Sequence, residues 1–182
     1  MKLDPSGEVL SAFIDLNNRV LERFTATERQ QIGVHTCPGG DHDSTHSADV
    51  DYLGLLPSLF RLNVGRFYIQ LASEPDRRRV LASIRSLLKP GQLLFVGVTD
   101  PIDPKVENPE EVRDRVLEAA ELIPIEALGT TDDCGFSPFS RDVKPQHGSP
   151  DFARDVAMKK ITARLEGVRL ASAQLGGKLA HA

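Results

Sequence analysis

The chain's two cysteines are Cys37 and Cys134, and a histidine, His35, stands two places before the first. In His35-Thr36-Cys37 the residues alternate, so on an extended strand the imidazole and the thiol project from one face. Nitrogen and sulfur presented together suit a borderline-soft ion such as zinc. The triplet alone is not specific. A second thiol in Thr130-Thr131-Asp132-Asp133-Cys134-Gly135 adds weight, and the glycine after it lets the backbone turn close to an ion. The plain alternative for either cysteine alone is a free buried thiol. A structural disulfide is not expected in a soluble chain without a secretion signal. A catalytic zinc keeps one position open for substrate. A thiol entering that position loses its proton and becomes a nucleophile at neutral pH.

Such residues need elements to position them, and the chain alternates helix and strand. Three-four spacing of Val9, Leu10, Phe13, Leu16, Val20 and Leu21 predicts a helix over 5–24. Ile32-Gly33-Val34-His35 reads as a short strand, followed by a Gly/His-rich loop (36–47) and a helix over 48–62. Phe67-Tyr68-Ile69-Gln70-Leu71 is an apolar strand, and the next helix spans 75–88, from Pro75 to the breaker Lys89-Pro90-Gly91. A third strand, Leu93 to Val98, ends at Asp100-Pro101; Pro109 opens a helix with Glu110 and Glu111 in its first turn. A strand near 126–131 leads to Cys134, a Pro/Gly-containing loop covers 138–150, and a last helix spans 151–172.

Four nearly apolar strands, each followed by a helix, indicate a parallel α/β sheet. In such folds chemistry gathers at the C-terminal strand ends. His35 and Cys37, Glu74, Asp100 and Cys134 fall at those ends in turn. A closed (β/α)₈ barrel needs about 250 residues, and this sequence has 182. Four βα units preceded by a helix are therefore read as the C-terminal half of such a TIM barrel. A single domain over 1–182 with a frayed tail from Gly176 to Ala182 is expected.

Composition excludes several classes. Net charge is -4, no basic patch is present, and the chain has no Trp and two Tyr, which argues against a nucleic-acid partner. No apolar run reaches the roughly 20 residues of a membrane span. Met1-Lys2-Leu3-Asp4-Pro5 carries no apolar signal core, so a cytoplasmic location is expected. His42 and His46 lie in the polar loop Gly39–His46. They serve as loop residues near a helix cap, as hydrogen-bond partners of the metal ligands, or as substrate contacts. Asp132 and Asp133 either orient a ligand or bond the nearby turn. Arg77-Arg78-Arg79 reads as a solvated or interfacial charge run.

Two segments resemble the zinc motifs of cobalamin-independent methionine synthase-like proteins. They are Gly33-Val34-His35-Thr36-Cys37-Pro38-Gly39-Gly40 and Gly129-Thr130-Thr131-Asp132-Asp133-Cys134-Gly135-Phe136. Gly97-Val98-Thr99-Asp100-Pro101 with Glu110-Glu111-Val112 is similar to the penultimate strand and helix of that domain, and the resemblance spans nearly all of 2–175. It implies a barrel holding Zn²⁺ through His35, Cys37, Cys134 and a glutamate. Glu74 is the carboxylate at the right strand end, although a gap-free match puts the family's glutamate at Ala72. The implied reaction is methyl transfer from 5-methyltetrahydrofolate to homocysteine in methionine biosynthesis. Asp100 and Asp133 become catalytic candidates, and His42 and Asp132 candidates for substrate contact.

Two departures qualify the implied activity. The family's proton-donating histidine would fall in Pro101-Ile102-Asp103, where Ile102 cannot transfer a proton. The family's homocysteine and folate contacts come largely from the other half of the barrel. An N-terminal half-barrel partner, or self-association, is therefore expected. Two further readings stay open: alkyl transfer to another thiol such as coenzyme M, and a truncated zinc-binding domain inactive alone.

Overall fold

A computed structural model describes residues 6–37, 51–136 and 149–176. Helix α1 (Glu8–Leu21) turns Ile14 and Leu21 inward. The one-turn α2 (Ala26–Arg29) begins in a Thr25/Glu28 capping box. Strand β1 (Gly33–Thr36) precedes α3 (Tyr52–Leu59), and β2 (Arg66–Ile69) precedes α4 (Arg77–Leu87). Strand β3 (Leu93–Thr99), α5 (Pro109–Ala120), β4 (Leu128–Asp132) and α6 (Pro150–Gln174) complete the order.

Helix starts follow their caps. Asp76, not Pro75, caps α4, accepting from Arg79 N at 3.0 Å. Asn108 and Glu111 form a capping box around Pro109 at the first turn of α5. Ser149 caps α6 through Phe152 N at 3.2 Å. The strand expected from 126 begins instead at Leu128, because Ile125–Ala127 after Pro124 forms a 3₁₀ turn.

The four strands are parallel and lie in sequence order, with Val34 beside Phe67, Phe67 beside Leu94, and Leu94 beside Leu128. Right-handed crossovers that always step in one direction place their helices on one face. Accordingly α1, α3, α4, α5 and α6 touch one another in succession. Beneath them Phe67, Ile69, Leu71, Leu94, Val96, Val98 and Leu128 pack against Val80, Leu81, Ile84, Val112 and Val116. A doubly wound sheet instead reverses its strand order and places helices on both faces. The chain is α/β, and its arrangement is consistent with part of a TIM-barrel-like fold.

The opposite face carries His35, Tyr68 and Phe95 side by side on β1, β2 and β3. The Tyr68 and Phe95 rings stack at 4.4 Å. Gly33 leaves room for the Tyr68 ring, because a Cβ there would stand 2.6 Å from Tyr68 Cε2. Helix α1 exposes a stripe of Val9, Phe13, Leu16 and Val20, so only part of its predicted apolar set faces the core. Among the described residues, no helix is long and apolar enough to cross a membrane.

Candidate metal centre

The period of two on β1 sends His35 to one face and Thr36 to the other. Thr36 is fixed by Tyr52 of α3, whose hydroxyl donates to Thr36 O at 3.1 Å and shares a 2.9 Å hydrogen bond with Thr36 Oγ1. Burial pushes the Tyr52 hydroxyl far above its ordinary pKa, so it stays a donor. The end of β1, and with it Cys37, is thereby anchored.

Cys134 follows β4 and brings its Sγ to 3.7 Å from His35 Nε2 and 3.9 Å from Gln70 Oε1. The donor atoms of His35, Cys37 and Cys134 all lie within 4.8 Å of one another. A hydrogen bond with Cys37 raises the pKa of His35, against its burial. Cys134 is pushed well above the ordinary thiol range, first by its hydrogen bond with Cys37 and then by burial. On a tetrahedral zinc with Zn–S about 2.3 Å and Zn–N about 2.0 Å, ligand atoms are separated by about 3.5–3.8 Å. The His35–Cys134 separation already lies there, and a nitrogen with two sulfurs is a donor set zinc accepts. The residues fit the ion.

Asp133 is buried, at 2 % exposure. Its Oδ1 accepts from the backbone N–H of Leu71 (2.8 Å) and Ala72 (2.6 Å), and its Oδ2 from Ser73 N and Ser73 Oγ (both 2.8 Å). Burial is the largest influence on this carboxyl and raises its pKa, while the four donors act in the opposite sense. The carboxylate reaches the β2–α4 turn past Gly97, where a Cβ would collide with Asp133. Asp133 thus clamps the turn next to Cys134.

Asp132 is tied down as well. It accepts from Thr99 Oγ1 and pairs with Arg164 Nε of α6 at 3.2 Å. Asp100 Oδ1 accepts from Ile102 N at 2.9 Å, and its charge adds to the influences that keep Cys134 protonated. Glu74 lies in the turn after β2, its N–H donating to Leu71 O at 3.2 Å, and falls outside the three-residue cluster. Its charge still reaches the Tyr52 hydroxyl, which places it at the same end of the sheet. His42, His46 and the tail from 177 lie outside the described residues.

Three features escape the sequence reading. Gln70, 2 % exposed, lines the cluster. Arg77 departs from the solvated charge run: its Nη1 donates to Leu71 O at 2.9 Å, and its Nε pairs with Glu118 at 2.7 Å. Only Arg78 and Arg79 of that run are exposed. Lys160 of α6 is wholly buried, donating to Lys105 O and pairing with Glu107 at 2.9 Å. Glu107 in turn accepts from Asp100 N at 2.8 Å. A cavity of about 560 Å³ lies at the other end of the strands, among Leu88, Lys89, Gln92, Ile123 and Pro124. Its lining includes Lys89, Glu121 and Glu126 but no thiol or imidazole.

Fold and cluster together define an α/β chain with a thiol–imidazole group at the C-terminal ends of a parallel sheet. Its fold is similar to that of a B12-independent methionine synthase from Shewanella sp. W3-18-1 solved in complex with selenomethionine, with a TM-score of 0.57 at 18% identity. The match covers 92% of this chain and 47% of that one, so the chain spans about half the length of that structure. No protein-family profile matches the sequence, and no characterised protein matches it by sequence.

Proposed function

We propose that the chain is the zinc-bearing part of a methyltransferase acting on a small thiol. Homocysteine is the acceptor and 5-methyltetrahydrofolate, or another methyl donor, the source. The observation that carries this reading is the convergence of His35, Cys37 and Cys134 within 4.8 Å at the strand ends where α/β chemistry gathers. The fold's similarity to a B12-independent methionine synthase supports it.

His35, Cys37 and Cys134 would hold the ion, with Glu74 the carboxylate proposed for the fourth place. Zinc bound there would stabilise an incoming thiol as its thiolate, the nucleophile for a methyl carbon. In the overall transfer an S–CH₃ bond forms as the donor's bond to that methyl breaks, and the leaving group takes a proton. Asp133 fixes the loop beside Cys134, and Asp100 is the proposed acid–base group at the neighbouring strand end. Asp132 is engaged by Thr99 and Arg164, which makes it a tie between β3, β4 and α6 before any substrate contact. His42 is proposed to contact substrate. A reducing cytoplasm would keep both thiols free for this use.

The remaining barrel units, in a longer chain or a partner, would pair with the edges of β1 and β4 and cover Val9, Phe13, Leu16 and Val20. Ile102, where the resemblance calls for a histidine, favours as second reading an alkyl transfer with other partners, coenzyme M among the acceptors.

The test is methylation of homocysteine with 5-methyltetrahydrofolate and with other methyl donors, in parallel with coenzyme M as acceptor, with the missing barrel units supplied. Methionine formation that requires Cys134 supports the first reading, and turnover only with coenzyme M the second. No turnover with any pair leaves a zinc-binding domain without activity.

A further inference from the structure

Gln70 presents a buried amide whose two ends meet different partners. Its Nε2 donates to Ser73 Oγ at 2.7 Å, and the Ser73 hydroxyl donates to Asp133 Oδ2 at 2.8 Å. A carboxylate only accepts, so the serine proton goes to Asp133 and the serine oxygen accepts from the amide NH₂. The carbonyl end of Gln70 must then face Cys134 Sγ, 3.9 Å away. Swapping the amide ends would set a carbonyl against a hydroxyl whose proton is already committed. The backbone agrees with this placement: Gln70 N donates to Thr36 O at 3.1 Å, between His35 and Cys37.

A separation of 3.9 Å is long for a hydrogen bond from a thiol. It is close to the spacing of an oxygen and a sulfur bound to one tetrahedral zinc, about 3.6 Å for bonds of about 2.1 and 2.3 Å. We infer that Gln70 Oε1 is the fourth protein donor of the metal centre, a neutral oxygen aimed by Ser73 and Asp133, ahead of Glu74. The inference rests on the metal reading above and changes its fourth ligand. Two thiolates, an imidazole and an amide leave a divalent ion with no net charge, whereas a carboxylate would leave one negative charge. The neutral centre suits an anionic sulfur as the next ligand.

The experiment is a Zn²⁺ competition titration with Co²⁺ absorption spectra on the full chain and on Gln70→Ala, Gln70→Glu, Ser73→Ala and Glu74→Ala. Gln70→Ala should weaken zinc at least about tenfold and shift the cobalt ligand-field bands. Gln70→Glu, which keeps an oxygen at that place and covers the case of a poorly folding Gln70→Ala, should retain affinity. Ser73→Ala should fall between, and Glu74→Ala should cost less than Gln70→Ala. Gln70→Ala protein that loses no more affinity than Glu74→Ala, Gln70→Glu protein that loses as much as Gln70→Ala, or an unchanged cobalt spectrum in Gln70→Ala, overturns the inference alone. Wild-type chain that takes up no zinc overturns the metal reading beneath it.

Discussion

Two buried glutamines sit at opposite ends of the sheet and are used differently. Gln92, before β3, gives both ends of its amide to the main chain: Nε2 donates to Val64 O at 2.9 Å and Oε1 accepts from Lys89 N at 3.0 Å. Gln70, after β2, gives its nitrogen to a serine and turns its oxygen toward a sulfur. Backbone groups engage both ends of the first amide, which closes a loop. The second belongs to a side-chain network with an anchored end, Asp133, and a thiol end, Cys134. A buried polar group is best read by what its last atom faces.

The contrast is broken or sharpened by substitution at each end. Cys134→Ser or His35→Ala should remove most of the roughly one zinc per chain that this donor set would hold, read by metal analysis after gel filtration. Metal retained at the wild-type level would erase the distinction between the ends. Lys160→Met tests the buried charges behind the cluster. Removing one partner of the Lys160–Glu107 pair should cost about 3–5 kcal/mol in urea unfolding. Asp133→Asn presents an amide nitrogen to N–H donors and should cost about 2–3 kcal/mol, with faster hydrogen exchange at Leu71, Ala72 and Ser73. Gln92→Leu should cost only about 1–2 kcal/mol and leave zinc uptake intact.

Acidity supplies a further test. His35 and Cys134 both hold protons above their ordinary pKa, and zinc must displace them. Zinc affinity should therefore fall as pH falls through neutrality, by up to about tenfold per displaced proton for each pH unit. An affinity flat between pH 6 and 8 would show that these groups do not bind the ion.

The apolar runs of β2 and β3 were legible in the sequence because strands in a parallel sheet bury whole stretches. The strand-end rule likewise foretold that His35, Cys37 and Cys134 would converge. The strand expected near 126–131 started two residues early, since Glu126 and Ala127 belong to the 3₁₀ turn that follows Pro124. Gln70 left no signal: an amide has no charge, and its direction depends on Ser73 and Asp133, the latter far along the chain. Lys160 and Arg77 look like solvated helix residues, because their partners Glu107 and Glu118 are brought to them only by packing. Charge type is local information; burial of a charge is not.

The most direct measurement is alkylation of the two cysteines by iodoacetamide, followed by mass spectrometry with and without one equivalent of zinc. Cys37 and Cys134, which form no disulfide, should become protected together by that single equivalent, and His35→Ala should abolish the protection. Cysteines that react at the same rate with and without zinc, or only one of which is shielded, would contradict a shared ion.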